Sequence, residues 1–68
     1  MQKYGYLAKS YSGVDMELRV MRSAAGYYLG TSDHDGSPFS RESQEYWPTF
    51  EQASDALHSD EWAQKLNP

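Results

Sequence analysis

The segment that decides the fold reads Trp47-Pro48-Thr49-Phe50-Glu51-Gln52-Ala53-Ser54-Asp55-Ala56-Leu57. Pro48 restricts the residue before it to an extended backbone. Thr49 is a favourable helix N-cap, and Gln52 stands three residues later, where a capping-box partner belongs. We therefore predict that a strand ends at this point and that a helix follows over residues 49–58.

The predicted helix has one apolar face. Phe50, Ala53, Ala56 and Leu57 recur at helical spacing. We expect this face to cover one side of a small sheet, with Phe50, Ala53 and Leu57 turned inward.

Four extended segments precede the helix. The clearest is residues 14–22, in which Val14, Met16, Leu18 and Val20 alternate with mostly charged residues in period two. Turns containing glycine separate it from its neighbours. The other predicted strands are residues 3–10, 27–32 and 39–47, the last of which is interpreted as a polar edge strand.

The order of strands followed by a helix is typical of an α+β domain. We expect a single domain over residues 1–68, with an antiparallel three- to four-stranded sheet, connected as a meander, and one C-terminal helix packed on one face. A short terminal helical turn is expected after Ser59, with Trp62 and Leu66 one turn apart.

Composition limits the compartment and the chemistry. The 68 residues contain no cysteine, which excludes disulfides, thiolate metal sites and thiol catalysis. The first part of the chain has charged residues but no long apolar run, so neither a signal peptide nor a membrane span is expected. We therefore expect a cytoplasmic protein without a membrane partner.

The charges are unevenly distributed along the chain. The net charge is −4, which disfavours general nucleic-acid binding because basic side chains supply most of the non-specific affinity. Residues 1–30 carry four basic and two acidic side chains, whereas residues 31–68 carry two basic and eight acidic ones. The predicted helical half is therefore acidic.

Catalytic and metal sites are not indicated. Asp33, His34 and Asp35 are the only cluster of candidate metal ligands, but neighbouring side chains in a tight turn diverge, so we interpret them as a solvated turn. His58 is interpreted as a helix-terminating residue. No serine lies in a known nucleophile motif. We expect no enzyme activity, no cofactor and no metal.

Aromatic residues are unusually frequent, with six tyrosines and two tryptophans. They are explained either by a binding surface or by an over-supplied core, and the sequence leaves both open. The charged segment near Tyr46 is interpreted either as a contact surface or as a solubilising edge strand. The candidate protein-binding residues are Tyr28, Arg41, Glu42, Glu45 and Tyr46, and the candidate nucleic-acid-binding residues are Lys3, Lys9, Arg19 and Arg22.

Three segments carry a resemblance. Residues 26–31 (GYYLGT), 38–43 (PFSRES) and 47–53 (WPTFEQA) resemble short proteins of bacterial accessory DNA, such as plasmids, phages and gene cassettes. The order of strands and helix is also similar to AP2-like and arm-type DNA-binding domains. That second resemblance implies a three-stranded sheet plus a helix, with DNA bound by a basic aromatic sheet face.

The favoured function is a non-catalytic, cytoplasmic interaction module that binds an unidentified protein through exposed aromatics and an acidic face. It would act as an accessory or inhibitory factor. The alternative is a weak nucleic-acid-binding domain. Self-association as a homodimer is a further alternative, because so small a domain buries little of its surface.

Overall fold

The computed structural model describes residues 3–67. The helix predicted from residues 49–58 is confirmed as α2, Phe50–Ser59. The Thr49 side chain accepts a hydrogen bond from the Gln52 N–H at 3.2 Å, as expected for an N-cap. Asp60 ends the helix in the left-handed conformation with φ of 62°.

The inner face of α2 differs from the prediction at one position. Ala53 and Ala56 are buried, and Leu57 is half-buried. Phe50 is 55% exposed, although its ring meets Tyr27 edge-on with a centroid distance of 6.2 Å. Because Phe50 lies in the first turn of the helix, it covers the rim of the sheet rather than its centre.

A three-stranded antiparallel sheet confirms the predicted α+β meander. The strands are β1 (Arg19–Ser23), β2 (Gly26–Ser32) and β3 (Pro38–Arg41), in the order β1-β2-β3. β1 and β3 are shorter than predicted. In particular, the strand expected over residues 39–47 ends at Arg41, because the Glu42 and Ser43 N–H groups both donate to the Leu29 carbonyl.

Both helices lie on one face of the sheet. Tyr27, Leu29 and Thr31 alternate along β2 and therefore share a face. Phe50 of α2 contacts Tyr27, and Thr31 lies beside Gly5, the N-cap of the N-terminal helix. The opposite face, called the open face below, carries Arg19, Gly30 and Arg41 in one row across the strands.

The strand predicted over residues 3–10 is wrong for most of its length. Residues Tyr6–Ser12 form a helix, α1. Glu42 stabilises its first turn, because the carboxylate accepts hydrogen bonds from the Leu7 and Ala8 N–H groups at 2.8 and 3.0 Å. Gly13 ends α1 with φ of 75°, a conformation that glycine adopts without steric cost.

The helical turn predicted after Ser59 is also wrong. The segment from Ala63 to Lys65 instead runs antiparallel beside Glu42 to Gln44. The Gln44 N–H donates to Ala63 and the Lys65 N–H donates to Glu42. This segment is called the C-terminal segment below.

Most of the core lies between the helices and the sheet, whereas Tyr28 is buried on the opposite face of the sheet, against Tyr46. Neither helix in the part of the chain described is long and apolar enough to traverse a bilayer. The buried apolar residues are Leu7, Ala8, Leu18, Tyr28, Leu29, Ala53 and Ala56.

Candidate functional site

A cleft opens where α1, β3 and the C-terminal segment meet. Its volume is about 260 Å³. Tyr11 and Phe39 remain 65% and 44% exposed there, whereas Leu7 is buried at its base. Aromatic and apolar groups therefore form the cleft walls. The lining residues are Leu7, Tyr11, Phe39, Ser40, Arg41 and Lys65.

Glu42 holds the three walls of this cleft together. Its side chain is fully buried and accepts hydrogen bonds from the first turn of α1, as described above. It also accepts hydrogen bonds from the Ser40 hydroxyl on β3 at 2.5 Å and from the Gln64 amide at 2.8 Å. One carboxylate thus fixes α1, β3 and the C-terminal segment relative to one another.

The protonation of Glu42 follows from two opposing effects. Burial acts to raise the pKa of its carboxyl group, because a charge loses solvation in the interior. Hydrogen bonds from Ser40, Leu7, Gln64 and Ala8 stabilise the charged form and outweigh burial, so the pKa lies below its ordinary value. The carboxylate is therefore ionised at neutral pH, and its oxygens are already satisfied by donors.

The side chain of Arg41 is fixed at the edge of the cleft. Its guanidinium donates to the Ser43 and Gln44 carbonyls and to the Tyr46 hydroxyl, at 2.8 to 2.9 Å. It also lies 4.3 Å from the centre of the Tyr46 ring, close enough for a cation–π interaction. These contacts leave two of the five guanidinium N–H donors without a partner in residues 3–67.

The cleft has a positive rim. Arg41 and Lys65 form no ion pair within residues 3–67, whereas Lys3 and Lys9 are paired with Asp60 and Asp15. Arg41 and Lys65 also border a second, shallow depression with Gln44, Leu66 and Asn67. The surface from Tyr11 to Lys65 thus combines apolar area with positive charge.

Only part of the predicted protein-binding set lies on the surface. The prediction is wrong for Tyr28 and Glu42, since Tyr28 is 6% exposed and Glu42 is fully buried. Burial also raises the pKa of the Tyr28 hydroxyl. Arg41 and Tyr46 do lie together, and Glu45 is half-buried, with its carboxylate accepting from the Ala63 N–H at 3.0 and 3.1 Å.

The predicted nucleic-acid-binding residues do not come together as one patch. Lys3 binds the Leu57 carbonyl and Asp60 at the end of α2, and Lys9 pairs with Asp15 at 3.3 Å. Arg19 lies on the open face. Arg22 stands opposite Tyr27, on the helix-covered face.

The turn around residues 33–37 has a structural explanation. The Asp33 carboxylate accepts hydrogen bonds from the Asp35 and Ser37 N–H groups at 2.9 and 3.1 Å. The side chains of His34 and Asp35 are exposed, and the His34 Nε2 atom lies 3.4 Å from the Asp35 Oδ1 atom. Within the described chain, no three histidine or acidic side chains are grouped so that they could hold a metal ion.

Sequence reasoning missed three central residues of the cleft, Tyr11, Phe39 and Lys65. Phe39 belongs to the predicted edge strand but is not among the predicted binding residues. Tyr11 was placed in a turn, because the preceding segment was interpreted as a strand. Lys65 belonged to the expected terminal helical turn. The high aromatic content was the only sequence signal that pointed towards such a surface.

No protein-family model matches this chain, and searches of curated proteins and of solved structures found no significant match. The resemblances to accessory-DNA proteins and to AP2-like domains therefore stay predictions. The cleft has to be interpreted from its own geometry.

Proposed function

We propose that this protein is a non-catalytic cytoplasmic module that binds another protein, as an accessory or inhibitory factor, through the cleft between α1 and β3. The observation that carries the proposal is the exposure of Tyr11 and Phe39 above a buried Leu7. Tyrosine and phenylalanine are enriched at protein interfaces because they contribute large, rigid contact area. A partner that covers these side chains would remove their apolar area from water, and this would favour binding.

The size of the cleft favours a protein side chain over a small-molecule substrate. Ligand pockets usually have about 300–1,000 Å³ and enclose most of their ligand. This cleft has about 260 Å³ and is open to solvent along one side. It therefore suits one or two side chains from a larger partner.

The acidic face expected from the sequence is a less suitable contact. Glu51, Asp55 and Glu61 are exposed on α2 and directly after it. Exposed charges mainly set association rates and specificity, whereas buried apolar area contributes more of the affinity. We therefore assign the contact to the cleft and a steering role to the acidic face.

A peptide selection tests this proposal. The folded protein is used to select binders from an unbiased library of displayed peptides, and the binders are measured against Tyr11→Ser and Phe39→Ser variants. We expect each variant to lose about tenfold or more in affinity, as expected for interface aromatics. Tyr6→Ser is the matched control, because Tyr6 is on the same helix, is 52% exposed and does not line the cleft.

The outcomes separate the candidate functions. Absence of any binder, or binders that tolerate both cleft variants, would refute the proposal. A parallel titration with a single-stranded oligonucleotide at low salt tests the nucleic-acid alternative, since salt-sensitive binding would support it. Sedimentation of the protein alone tests the homodimer alternative.

A further inference from the structure

The shallow depression beside the cleft differs from it in chemistry. It has a volume of about 360 Å³ and shares Arg41 and Lys65 with the cleft as lining residues. The Arg41 guanidinium lies on the side of the depression, because it donates to the Gln44 carbonyl and Gln44 lines the depression but not the cleft. The cleft therefore offers apolar walls, and the depression offers positive charge next to them.

The positive charge at this place has no counter-charge in the described chain. No acidic side chain of residues 3–67 lines the cleft or the depression, although the protein has ten acidic residues and only six basic ones. The two carboxylates that follow Arg41 in the chain, Glu42 and Glu45, accept backbone N–H groups instead. A carboxylate from another molecule would therefore complement Arg41 and Lys65.

The Arg41 guanidinium is already fixed in place before a ligand arrives. Its Nε atom donates to the Ser43 carbonyl, Nη1 to the Tyr46 hydroxyl and Nη2 to the Gln44 carbonyl. Each terminal nitrogen carries two N–H groups and uses one, so each keeps one unused donor. A carboxylate has two acceptor oxygens and can satisfy both donors. Because the side chain is held by its other contacts, binding costs it little conformational freedom.

We infer that the partner protein binds through an acidic segment, in which one apolar side chain enters the cleft and a carboxylate nearby in its sequence binds Arg41 and Lys65. This inference rests on the proposed function and names the chemistry of the partner at the same site. The apolar side chain supplies most of the affinity. The carboxylate sets the direction of the segment and selects against neutral or basic sequences.

The shape of the depression favours an internal segment of the partner over its C-terminus. The depression continues past Arg41 and Lys65 to Leu66 and Asn67. Leu66 is 68% exposed and offers apolar contact area beyond the two cations. A chain that continues after the carboxylate can cover this part, whereas a terminal carboxylate would leave it in water.

A second copy of this chain is a less suitable occupant. It does present an exposed apolar residue beside an acidic one, Phe50 and Glu51. However, that contact would join α2 of one copy to the cleft of the next, and such head-to-tail contacts form open chains unless they close into a ring. Each copy also carries a net charge of −4, so copies repel one another. A different protein whose acidity is confined to the bound segment avoids this repulsion.

The test uses short peptides, blocked at both ends, that carry one leucine and one glutamate in a glycine–serine background. Peptides with different numbers of residues between the leucine and the glutamate are titrated into the full chain and followed by NMR. At the spacing that fits, we expect the Tyr11 and Phe39 amides and the Arg41 Nε–H to shift together. Replacing the leucine with alanine should weaken binding by about tenfold. Replacing the glutamate with glutamine should weaken it by about fivefold and abolish the Arg41 shift.

A charge variant of the protein provides the second readout. Lys65→Gln should weaken binding of the glutamate peptide by about fivefold and leave binding of the glutamine peptide unchanged, because the lost partner of Lys65 is the carboxylate. Arg22→Gln is the matched control, since it changes the net charge equally but stands opposite Tyr27 and lines neither the cleft nor the depression. Equal effects of the two variants, or equal losses for both peptides, would overturn the inference.

The other outcomes separate this inference from the proposed function. Library binders that depend on Tyr11 and Phe39, together with leucine–glutamate peptides that bind at no spacing, would overturn the acidic segment and leave the proposed function intact. Failure of both the library and the peptides would remove both proposals.

Three controls identify a different occupant. Tighter binding of a peptide that ends in leucine with a free carboxylate would assign the depression to a C-terminus and overturn the internal segment. Self-association in sedimentation that is lost in Phe50→Ser would identify a second copy. Tighter binding of a single-stranded oligonucleotide, lost in Lys65→Gln, would assign the two cations to nucleic acid.

Discussion

Replacing the buried Glu42 with glutamine should destabilise the fold more than any other change of a single carboxylate. The substitution preserves size and shape but converts one oxygen into an NH₂ group. Each carboxylate oxygen accepts one backbone N–H from α1, Leu7 at one oxygen and Ala8 at the other. Whichever way the new amide is oriented, it presents a donor to a buried donor.

The magnitude follows from that mismatch. An unsatisfied buried N–H costs about 1–3 kcal/mol, and the remaining hydrogen bonds lose the strength that a charged acceptor gives them. We expect Glu42→Gln to lower the free energy of unfolding by about 2–3 kcal/mol. A domain of 68 residues has a total stability of about 3–10 kcal/mol at ordinary values per residue. The variant should therefore lose a large share of the total stability, and a protein at the lower end of that range would be close to unfolding.

The assay is urea unfolding followed by tryptophan fluorescence. Glu61→Gln is the matched control, because Glu61 is exposed and its carboxylate has no hydrogen bond or ion pair in residues 3–67. A surface substitution of this kind should change stability by less than about 0.5 kcal/mol. Equal urea midpoints for the two variants would refute the role assigned to Glu42.

The same pair of proteins should differ in pH dependence. The pKa of Glu42 is lower in the folded protein than its ordinary value of 4.5, so the unfolded chain takes up the proton first as the solution is acidified. The stabilisation is therefore present above that ordinary value and is lost as the pH falls through the folded-state pKa. The difference in the free energy of unfolding between wild type and Glu42→Gln should be constant near neutral pH. It should shrink once the pH falls below the ordinary pKa of 4.5. A gap that stays constant in acid would contradict the assignment.

Two further stability predictions use the same urea assay. Thr49→Ala should cost about 1 kcal/mol, because the Thr49 hydroxyl accepts the Gln52 N–H at 3.2 Å; an unchanged midpoint would show that this cap contributes nothing. Gly30→Ala should cost about 1–3 kcal/mol or more, since an added Cβ would lie 2.3 Å from the Ser40 carbonyl oxygen. Wild-type stability in Gly30→Ala would mean that β2 and β3 are less closely packed than described.

The elements that could be predicted from sequence are those whose stabilising contacts are local. Thr49 and Gln52 lie three residues apart and form the α2 cap by themselves. Gly26, the first residue after the β1–β2 turn, has φ of 131°, a conformation for which glycine is the ordinary choice. Strand alternation also identified Leu18 as a core residue. In each case the sequence pattern and the contact lie in the same short segment.

α1 could not be predicted in this way, because its stability comes from a distant residue. A helix of seven residues is too short to be stable alone in water. The alternation of Tyr4, Tyr6 and Ala8 also fits a strand, and no nearby side chain caps the N-terminus of the helix. Its first turn is satisfied by Glu42, which follows Leu7 by 35 residues. The same long-range contact explains why Glu42 was mistaken for a surface residue.

The candidate site was recovered only in part for the same reason. Arg41 and Tyr46 were selected together because they lie close in sequence, and the structure joins them by a hydrogen bond and a cation–π contact. Tyr11 and Lys65 come from opposite ends of the chain. They reach the cleft only after α1 and the C-terminal segment are fixed against β3.

Glu42 therefore connects the stability of the domain to the shape of its cleft. Its hydrogen bonds hold Leu7 at the base, Ser40 on one wall and Gln64 beside the positive rim. A Glu42 variant that loses binding would not show that Glu42 contacts the partner, because the walls would separate first. The Tyr11 and Phe39 variants change side chains that make no hydrogen bond to Glu42. Their effects on binding can thus be attributed to the cleft surface rather than to its support.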